Sequence, residues 1–428
     1  MLLSGNKTLL SAMFCLYTLA PKAQSQAPQE IWTYWGAGSE LNAINALMKV
    51  SNDTYPGTPV KQRVISGSVA EMRQALQVGF LGGNPPVLWQ AGQGIELKNF
   101  VNSDRLAELD TVWGEVKGDE IFPAGIKKVV SFNGHQYGIP LNMHTINNVF
   151  YNKKIFEKLN LSEPKTFEEL QQVSAKLKNA GYESIANAGG PSWTMYNFYV
   201  PLLSVVGVKG YYQLASGQMP FNSPEVKKAL AIFGKTYAEN YMKNWSGYTW
   251  SSAADQFAQG KVGMYQMGDW LNAYLVEKGM KSGEDFDVFA APGSENASLV
   301  QVDMLAVAKT NDANRMKTAH NFLITAASVQ GQKAFNSLKG STAANLNVSD
   351  DIYNPVGKKI QGFVKDASAS DKVLPSLVTL LPTELGSELG TQLAAYAQHP
   401  TEENLNTMTS ALEEQRIDLQ KENQFTQW

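Results

Sequence analysis

The pattern of apolar and polar positions is clearest between residues 136 and 170. Two strand-like runs, at residues 137–140 and 147–151, come first. Apolar side chains then recur on one face of a predicted helix at residues 155–159, with lysines and a glutamate on the other face. Thr166, followed three residues later by a glutamate, is typical of a capping box and predicts the start of the next helix.

Predicted strands and helices alternate over the region that precedes this block. The strands are 30–35, 59–65 and 86–90, and the helices are 40–50, 70–80 and 93–101. Such alternation predicts an α/β protein with a mostly parallel sheet. Helices dominate after residue 166. The helices predicted there are 167–180, 197–206, 223–239, 252–259, 314–327 and 329–338, and the strands are 262–267, 287–291 and 299–308.

The length and charge of the chain restrict its class. A chain of 428 residues predicts two domains of ordinary size rather than one. Its 36 basic and 39 acidic residues give a net charge of −3. Because the chain has no basic excess to neutralise phosphates, the composition argues against nucleic-acid binding.

Residues 1–27 have the features of a secretory signal peptide. Lys7 supplies positive charge, and residues 9–20 form an apolar run that is too short to span a membrane. Small residues within 23–27 offer a cleavage site. Cleavage would remove Cys15, which is the one cysteine, and two lysines, so the net charge would change from −3 to −5. We therefore expect an exported protein without disulfides.

Nine tryptophans and 17 tyrosines are the main feature of the composition. A flat apolar ring with polar neighbours suits the C–H face of a sugar, whose hydroxyls bind nearby acids, amides and amines. A single tryptophan is more often part of a core or an interface, so this interpretation depends on the group. The tryptophans predicted to lie at the ends of elements are Trp35, Trp89, Trp193, Trp250 and Trp270.

The block at residues 136–170 resembles a segment of the extracellular solute-binding proteins of ABC importers. In those proteins Y-G-I-P, followed by Y-N-K-x-x-F and P-x-T-F-E-E-L, marks the first passage of the chain between two lobes. This chain has YGIP at 137–140, YNKKIF at 151–156 and PKTFEEL at 164–170. The resemblance implies an α/β fold, a two-lobed periplasmic-binding-protein-like class II clamp with interleaved lobes.

Six phrases, in the same order along the chain, are similar to the glucose/mannose-binding subgroup of that family. Each phrase is weak alone, and their shared order makes the resemblance specific. They are YW at 34–35 with Glu40, PLNMH at 140–144, GGPSW at 189–193, the run from Trp250 through GKVG at 260–263 to MGDW at 267–270, Asp303 in its strand, and KGS at 339–341.

The resemblance also implies where the lobes divide. The N-terminal lobe would contain residues 28–138 and 299–345, and the C-terminal lobe residues 139–298 and 346–428. The ligand would lie between the lobes, which would close around it by bending at a hinge.

The same resemblance implies a set of ligand-binding residues, with no catalytic residue, metal or cofactor. Indole rings would stack on the sugar, carboxylates would accept hydrogen bonds from its hydroxyls, and a lysine would donate one. The set consists of Trp35 and Trp270 as platforms, Trp193 and Trp250 as walls, Glu40 and Asp303 as acceptors, Lys339 as donor, Asn142 and His144 along the crossing strand, and Tyr34 and Gln90 as further contacts.

Three places depart from the pattern of the subgroup. Tyr34 stands where the subgroup has the first of two tryptophans. Residues 88–92 (LWQAG) lack the charged or imidazole group that is often found there, and residues 377–379 (LVT) lie where the subgroup usually has a ligand histidine. Because a lost polar contact in a buried site changes specificity, a sugar ligand is a firmer expectation than glucose.

The function implied by the resemblance is the substrate-binding component of an ABC importer. The protein would capture a sugar in the periplasm, a monosaccharide such as glucose or a short oligosaccharide. It would deliver the sugar to a membrane permease that is driven by separate ATPase subunits. It would act as a monomer and would not be an enzyme.

Two other interpretations stay open. Glu40 and Asp303 could be the carboxylate pair of a glycoside-processing enzyme, although no cleavage motif accompanies them. The same fold could instead bind a polyamine, a peptide or a ferric ion. Tyr211 and Tyr212 are the adjacent tyrosines that a ferric site would use, but the four histidines show no ligand spacing.

Overall fold

The computed structural model describes residues 27–67, 69–294 and 296–428. The predicted signal peptide, residues 1–27, lies outside these ranges apart from Ala27. Among the helices that the structure describes, none combines the length and the apolar character needed to cross a bilayer.

These ranges contain fifteen strands and seventeen α-helices. The strands, β1 to β15 in chain order, are Gln29–Thr33, Val60–Val64, Leu88–Ala91, Ser131–Phe132, His135–Gln136, Ile139–Pro140, Asn142–Thr145, Asn148–Asn152, Glu183–Ala186, Val262–Met267, Phe286–Ala290, Ser298–Gln301, Met304–Val307, Thr342–Ala343 and Val373–Pro375. The helices, α1 to α17, are Gly38–Thr54, Val69–Leu81, Ile95–Asn102, Asp110–Glu115, Gly118–Ile121, Ala124–Val130, Lys153–Lys158, Phe167–Asn179, Pro191–Ala215, Pro224–Thr236, Trp250–Ala258, Trp270–Glu277, Ala313–Ala327, Val329–Lys339, Pro355–Ala369, Thr383–Gln398 and Glu402–Lys421.

The first large sheet has the strand order β2-β1-β3-β13-β6. Strand β1 is parallel to both β2 and β3, so that Trp32 pairs with Arg63 on one side and with Trp89 on the other. This agrees with the parallel pairing that alternating strands and helices predict. Strand β13 is antiparallel to β3 and β6, because it enters the sheet from a crossing between the lobes and not through a connecting helix.

The second large sheet has the order β11-β8-β10-β9, with β8 antiparallel to both of its neighbours. The buried apolar residues form two clusters, one around each large sheet. Trp35 and Phe322 belong to the first cluster, and Phe150 and Tyr265 belong to the second. Two separate cores are what two lobes require, and the predicted two-lobed α/β architecture is confirmed.

A small sheet of order β14-β7-β12-β15 contains both crossings between the lobes. One residue, Leu141, separates β6 from β7, and Val302 and Asp303 separate β12 from β13. The sequence predicts one strand over residues 299–308, but the structure divides it. Strand β12 pairs with β7 and β15, whereas β13 belongs to the first large sheet. Asp303 therefore lies where the chain changes sheets.

The predicted capping box forms only in part. The Thr166 side chain accepts a hydrogen bond from the backbone nitrogen of Glu169 at 3.1 Å, as expected of an N-cap. The Glu169 carboxylate accepts from the backbone nitrogen of Lys165 at 2.6 Å, not from that of Thr166. The helix α8 nevertheless begins where the pattern places it.

Helix α9 differs from the sequence prediction at its start, and helix α15 lies between the two cores. Helix α9 begins at Pro191 rather than at residue 197, so Trp193 lies in its first turn. Helix α15, which the family resemblance places wholly in the C-terminal lobe, packs against both cores. Its Val356 belongs to the cluster of the second sheet and its Val364 to that of the first. From here on the N-terminal lobe means the half of the molecule around the first large sheet, and the C-terminal lobe the half around the second. The predicted residue boundaries of the lobes stay a prediction.

Candidate ligand-binding site

Asp303 is the centre of the candidate site. Its backbone oxygen accepts a hydrogen bond from Leu141 N at 2.8 Å, which joins the two crossings. Asn142 Nδ2 donates to Asp303 Oδ2 at 3.0 Å, and Asp303 N donates to Asn142 Oδ1 at the same distance. Asn142 is fully buried and also donates to Ser341. Because its polar atoms are engaged within the protein, Asn142 positions the carboxylate and does not face open space.

Lys339 brings a positive charge close to Asp303. It is the last residue of α14, which ends at Gly340 in the left-handed conformation, with φ of 77°. Lys339 Nζ forms an ion pair with Glu40, in the first turn of α1, and lies 3.9 Å from Asp303 Oδ2. The same ammonium lies 5.3 Å from the centroid of the Trp35 ring, a cation–π distance.

His144 on β7 brings a second positive charge. Its Nδ1 lies 2.7 Å from Asp269 Oδ1, and its Nε2 lies 3.2 Å from Asp303 Oδ2. An imidazole with a carboxylate at each nitrogen donates from both and is protonated. No role was predicted for Asp269 from the sequence. Its place between the end of β10 and Trp270 is the signal that could have identified it, since ligands collect at the carboxyl ends of strands.

Burial and neighbouring charges act in opposite directions on the pKa values of these groups. Burial lowers the pKa of His144, but the charges and hydrogen bonds of Asp269 and Asp303 outweigh it and raise the pKa to about 9. Burial raises the pKa of Asp303, but Lys339 and His144 outweigh it and hold the pKa well below its usual range. Both groups are therefore charged at neutral pH. Negative and positive side chains therefore alternate along a row of contacts that runs through Asp269, His144, Asp303, Lys339 and Glu40.

We expect the free energy of unfolding to fall as the pH rises from about 6.5 to about 9. The folded protein binds the His144 proton more tightly than the unfolded chain does. This stabilisation is therefore complete below the ordinary pKa of 6.5 and is lost as the pH passes the folded pKa of about 9. The loss is of the order of 3 kcal/mol. Urea unfolding of the wild type and of His144→Gln across this range measures it, and a difference between them that does not change with pH would contradict it.

Three aromatic side chains of the C-terminal lobe, Trp193, Tyr196 and Trp270, form what we call the aromatic wall. The Trp270 ring centroid lies 5.3 Å from that of His144, and 6.3 and 6.4 Å from those of Trp193 and Tyr196. A Cβ on Gly268 would lie 2.1 Å from Trp270 Cζ3, so the ring takes this position only because residue 268 is a glycine. Trp193 and Trp270 are partly exposed. Tyr196 was not predicted from the sequence.

A cavity of about 280 Å³ borders Asp303 and His144, and we call it the interlobe cavity. Gln90 connects its walls, since Gln90 Oε1 accepts from Tyr34 N at 3.3 Å and Gln90 Nε2 lies 3.5 Å from Asp303 Oδ1. The aromatic wall does not line it. The lining side chains include Tyr34, Arg73, Gln93 and Glu96 of the N-terminal lobe and Thr379 and Thr383 of the C-terminal lobe.

Two of the predicted ring positions are closed to a ligand in this structure. Trp35, predicted as a stacking platform, has no exposed surface, because Lys339 covers it and Phe335 packs 5.2 Å away. Trp89 is also fully buried, inside β3 and not at an element end, and its ring lies 5.7 Å from that of Phe100. Both indoles therefore belong to the core of the N-terminal lobe.

Trp250, predicted as a wall, lies apart from the other rings of the C-terminal lobe. Its ring centroid is 5.1 Å from that of Tyr274, and no ring contact in the described part of the chain joins it to Trp193 or Trp270. The structure brings most of the other predicted residues together, namely Tyr34, Glu40, Gln90, His144, Asp303 and Lys339. Trp270 lies beside His144, and Trp193 lies beside Trp270. Asn142 contacts Asp303 and Trp35 contacts Lys339, both from the buried side.

Comparisons with known proteins agree with this architecture. Residues 37–333 match the family model of bacterial extracellular solute-binding proteins. The chain is 32% identical to an uncharacterized ABC transporter extracellular-binding protein of Pyrococcus horikoshii, over 83% of this chain and 80% of that protein. It is 28% identical to a probable sugar-binding periplasmic protein of Brucella suis, over 86% of this chain and 87% of that protein.

The fold is also similar to that of a solved structure, the bacterial solute receptor AcbH. The TM-score is 0.78 at 20% identity, and the match covers 92% of this chain and 99% of AcbH. The predicted class II clamp is thereby confirmed as the fold. With the family model and the relatives in agreement, the chain belongs to the bacterial extracellular solute-binding proteins of ABC transporters, the family that the sequence resemblance predicted.

Proposed function

We propose that this protein captures a sugar between its lobes and delivers it to an ABC permease. The observation that carries the proposal is the balance of charge at the site. Every carboxylate there contacts a cation, so the site suits an uncharged ligand whose hydroxyls donate to carboxylates and accept from cations. A polyamine would require carboxylates without such partners. The carboxylates are Glu40, Glu96, Asp269 and Asp303, and the cations are Arg73, His144 and Lys339.

The names of related proteins support a sugar without deciding which one. The Brucella suis relative is named a probable sugar-binding periplasmic protein, and AcbH is described with a preference for β-D-galactopyranose. A glucose/mannose-type ligand is the expectation from the sequence phrases, and the departures at Tyr34 and at residues 377–379 make a different sugar equally compatible.

Capture would occur by closure of the lobes. His144, on the crossing strand, contacts Asp303 beside the N-terminal lobe and Trp270 of the C-terminal lobe. A sugar that contacts both sides would favour the closed form, because a ligand shifts a conformational equilibrium by its difference in affinity for the two states.

Binding explains the carboxylates better than glycoside hydrolysis does. That reaction needs one carboxylic acid with a raised pKa beside a second carboxylate. Lys339 contacts both Glu40 and Asp303, and the pKa of Asp303 is held below its usual range. A carboxylate held in its ionised form is a hydrogen-bond acceptor and not a proton donor.

A ferric site at Tyr211 and Tyr212 has no support from the geometry. Tyr211 is fully buried, and its hydroxyl donates to Pro375 O at 3.1 Å, so it is committed to the core. A surface group of carboxylates and a histidine lies elsewhere on the N-terminal lobe, where His135 already contacts the carboxylates of both Glu108 and Asp110. These side chains are partners of one another and lie outside the cleft.

We further propose the setting in which the protein works. The mature chain would begin after the signal peptide of residues 1–27 and act in the periplasm as a monomer. It would dock on permease subunits that separate ATPase subunits drive. Membership of an extracellular solute-binding family supports an exported protein.

A thermal-shift screen of the purified mature protein tests the sugar proposal. A ligand that binds only the folded state raises the melting temperature, so at least one monosaccharide or short oligosaccharide should raise it, and amines should not. The same sugars are then incubated with the protein and analysed for products. A screen in which no sugar shifts the melting temperature, or a sugar that is hydrolysed, would refute the proposal.

We expect Trp270→Ala to lower the affinity for the bound sugar by about tenfold or more. The substitution removes the ring of the aromatic wall that lies beside His144. An aromatic contact is worth about 0.5 to 1.5 kcal/mol beyond its buried area, and the apolar area that the sugar no longer buries adds to the loss. Calorimetric titration measures the affinity, and thermal unfolding checks that the variant folds. Trp250→Ala removes a partly buried indole of the same lobe that lies against Tyr274, and should change the affinity less than twofold. Equal effects of the two variants would contradict the placement.

A further inference from the structure

Residues 422–428, which we call the tail, run from the C-terminal lobe to the N-terminal lobe. Helix α17, which precedes the tail, belongs to the C-terminal lobe, since its Met408 lies in the core of that lobe. Asn423 takes the left-handed conformation, with φ of 55°, that commonly ends a helix. Trp428 packs against the cores of both lobes. The tail therefore joins the lobes at a place that neither crossing occupies.

Three contacts hold the tail on the C-terminal lobe. Trp428 Nε1 donates a hydrogen bond to Leu380 O at 2.9 Å, and Trp428 N donates one to Ser216 Oγ at 3.2 Å. Phe425 packs beside Gly217, where a Cβ would lie 2.8 Å from the phenyl ring. The ring can approach this closely because residue 217 is a glycine, and its φ of 71° also favours glycine.

Two contacts hold the tail on the N-terminal lobe. Lys98 Nζ, on α3, donates a hydrogen bond to Thr426 Oγ1 at 2.8 Å. The ring of Phe132, in the core of that lobe, lies 6.2 Å from the ring of Trp428. Burial lowers the pKa of Lys98, so its ammonium is partly withdrawn from water. Because its donor is charged, the bond from Lys98 is stronger than one between neutral groups.

The elements that the tail connects also meet at the interlobe cavity. Glu96, in the first turn of α3, lines the cavity from the N-terminal lobe. Thr379, which directly precedes Leu380, lines it from the C-terminal lobe. A Cβ on Gly94 would lie 2.1 Å from Thr379 O, so the backbones of the two lobes touch there. The tail does not line this cavity, yet it holds two elements whose spacing sets the width of the cavity.

We propose that the tail is a clasp that stabilises this spacing of the lobes and thereby raises the affinity for the captured sugar without contacting it. The effect on affinity rests on the proposed function, whereas the clasp itself does not. Thr426 and Trp428 are two residues apart, so their Cα atoms can be separated by about 7 Å at most. Both can keep their partners on opposite lobes only while α3 stays close to Leu380. The contacts of the tail therefore favour this spacing over a more open one, and a sugar that bridges the lobes has less free energy of closure to supply.

The spacing of the lobes is measured first, in the absence of sugar. Cys15, the one cysteine of the sequence, lies in the predicted signal peptide, so two introduced cysteines can be spin-labelled alone in the mature protein. Lys49→Cys on the N-terminal lobe and Lys281→Cys on the C-terminal lobe are suitable positions, because their side chains are 75% and 72% exposed. Double electron–electron resonance then gives the distribution of distances between the lobes.

The double variant Thr426→Val/Trp428→Phe removes the acceptor on one side of the clasp and the indole donor on the other, and keeps a ring at position 428. We expect its distance distribution to broaden and to include distances that the wild-type tail does not allow. Gln427→Ala is the matched control. Gln427 accepts a hydrogen bond from Gln218 of the C-terminal lobe, so its loss loosens no contact between the lobes and should leave the distribution unchanged. A double variant with the wild-type distribution would overturn the clasp, even if its melting temperature were lower.

Calorimetry with the tightest sugar of the thermal-shift screen measures the effect on capture. The affinity should fall about fivefold in the double variant and stay within about twofold in Gln427→Ala. Lys98→Met breaks the same bond from the N-terminal lobe and should also lower the affinity. Adding Thr426→Val to Lys98→Met should cost nothing more, because the two residues act through one bond.

The two measurements separate the clasp from the proposed function. If the wild type binds no sugar, the proposed function fails, while a broader distance distribution in the double variant still supports the clasp. If sugar binds and its affinity is unchanged or higher both in the double variant and in Lys98→Met, the effect of the clasp on capture is overturned and the proposed function stands. Thermal unfolding checks that each variant is folded.

Discussion

Asp303→Asn is expected to lower the affinity for the bound sugar by about 100-fold or more while the protein stays folded. The substitution keeps the shape of the side chain but removes the charge that Lys339 and His144 face. Hydrogen bonds to charged groups contribute about 1.5 to 3 kcal/mol each, so a sugar hydroxyl that loses an ionised acceptor loses much of its binding free energy. Calorimetric titration with the tightest sugar of the screen measures the change.

Asp104→Asn is the matched control for this prediction. The Asp104 carboxylate is 81% exposed, pairs with Lys309 at 2.6 Å and does not line the interlobe cavity, so its removal should leave the affinity unchanged. A second readout is the pKa of His144, measured by NMR titration. It should fall below about 9 in Asp303→Asn, because one of its two carboxylate partners is then neutral. An unchanged affinity would remove Asp303 from the site, and an unchanged pKa would contradict its contact with His144.

The sequence predicted most where its signals are local. The local pattern of residues 136–170 predicted strands, a helix and an N-cap, and Thr166 does cap α8, whereas the family resemblance identified this block as the first crossing. The lobe boundary that the resemblance implies at residue 299 placed the second crossing there, but the sequence did not resolve its structure. A run of apolar residues at 299–308 looks like one strand, since periodicity does not show that its two halves pair in different sheets. Only the partner strands decide that Asp303 lies in the gap.

The sequence could predict which residue types form the site, but not which of those side chains are exposed to a ligand. Trp35 and Trp270 both follow a strand, yet α14 places Lys339 and Phe335 over Trp35, while Trp270 stays partly exposed beside His144. That difference comes from tertiary packing, which no local pattern reports. Polar residues of the cavity were missed for the same reason. Glu96, for example, lines a cavity that elements of both lobes enclose.

Lys339→Met is expected to lower the free energy of unfolding by about 2 kcal/mol, because Glu40 then has no cation and the buried carboxylate of Asp303 keeps only His144. The ammonium is the charge shared by Glu40 and Asp303, and the lysine side chain is only 8% exposed. Methionine keeps most of the packing against Trp35, so the loss is mainly electrostatic. Urea unfolding at neutral pH without sugar measures the change in the free energy of unfolding.

The same helix supplies a control for this substitution. Lys333 on α14 pairs with Asp351 at 2.8 Å, but both side chains are about half exposed, so Lys333→Met should cost less than about 1 kcal/mol. Asp303→Asn in the Lys339→Met background should recover part of the loss, because it removes the buried carboxylate that the methionine leaves with only one of its two cations, His144. The recovery should amount to a coupling of about 1 to 3 kcal/mol in the double-mutant cycle. Two results would contradict this role of Lys339: an equal loss of stability in the two lysine variants, or no coupling in the double variant. Lys339 would then not stabilise the ionised carboxylates, and the alternation of negative and positive side chains would not be the basis of the site.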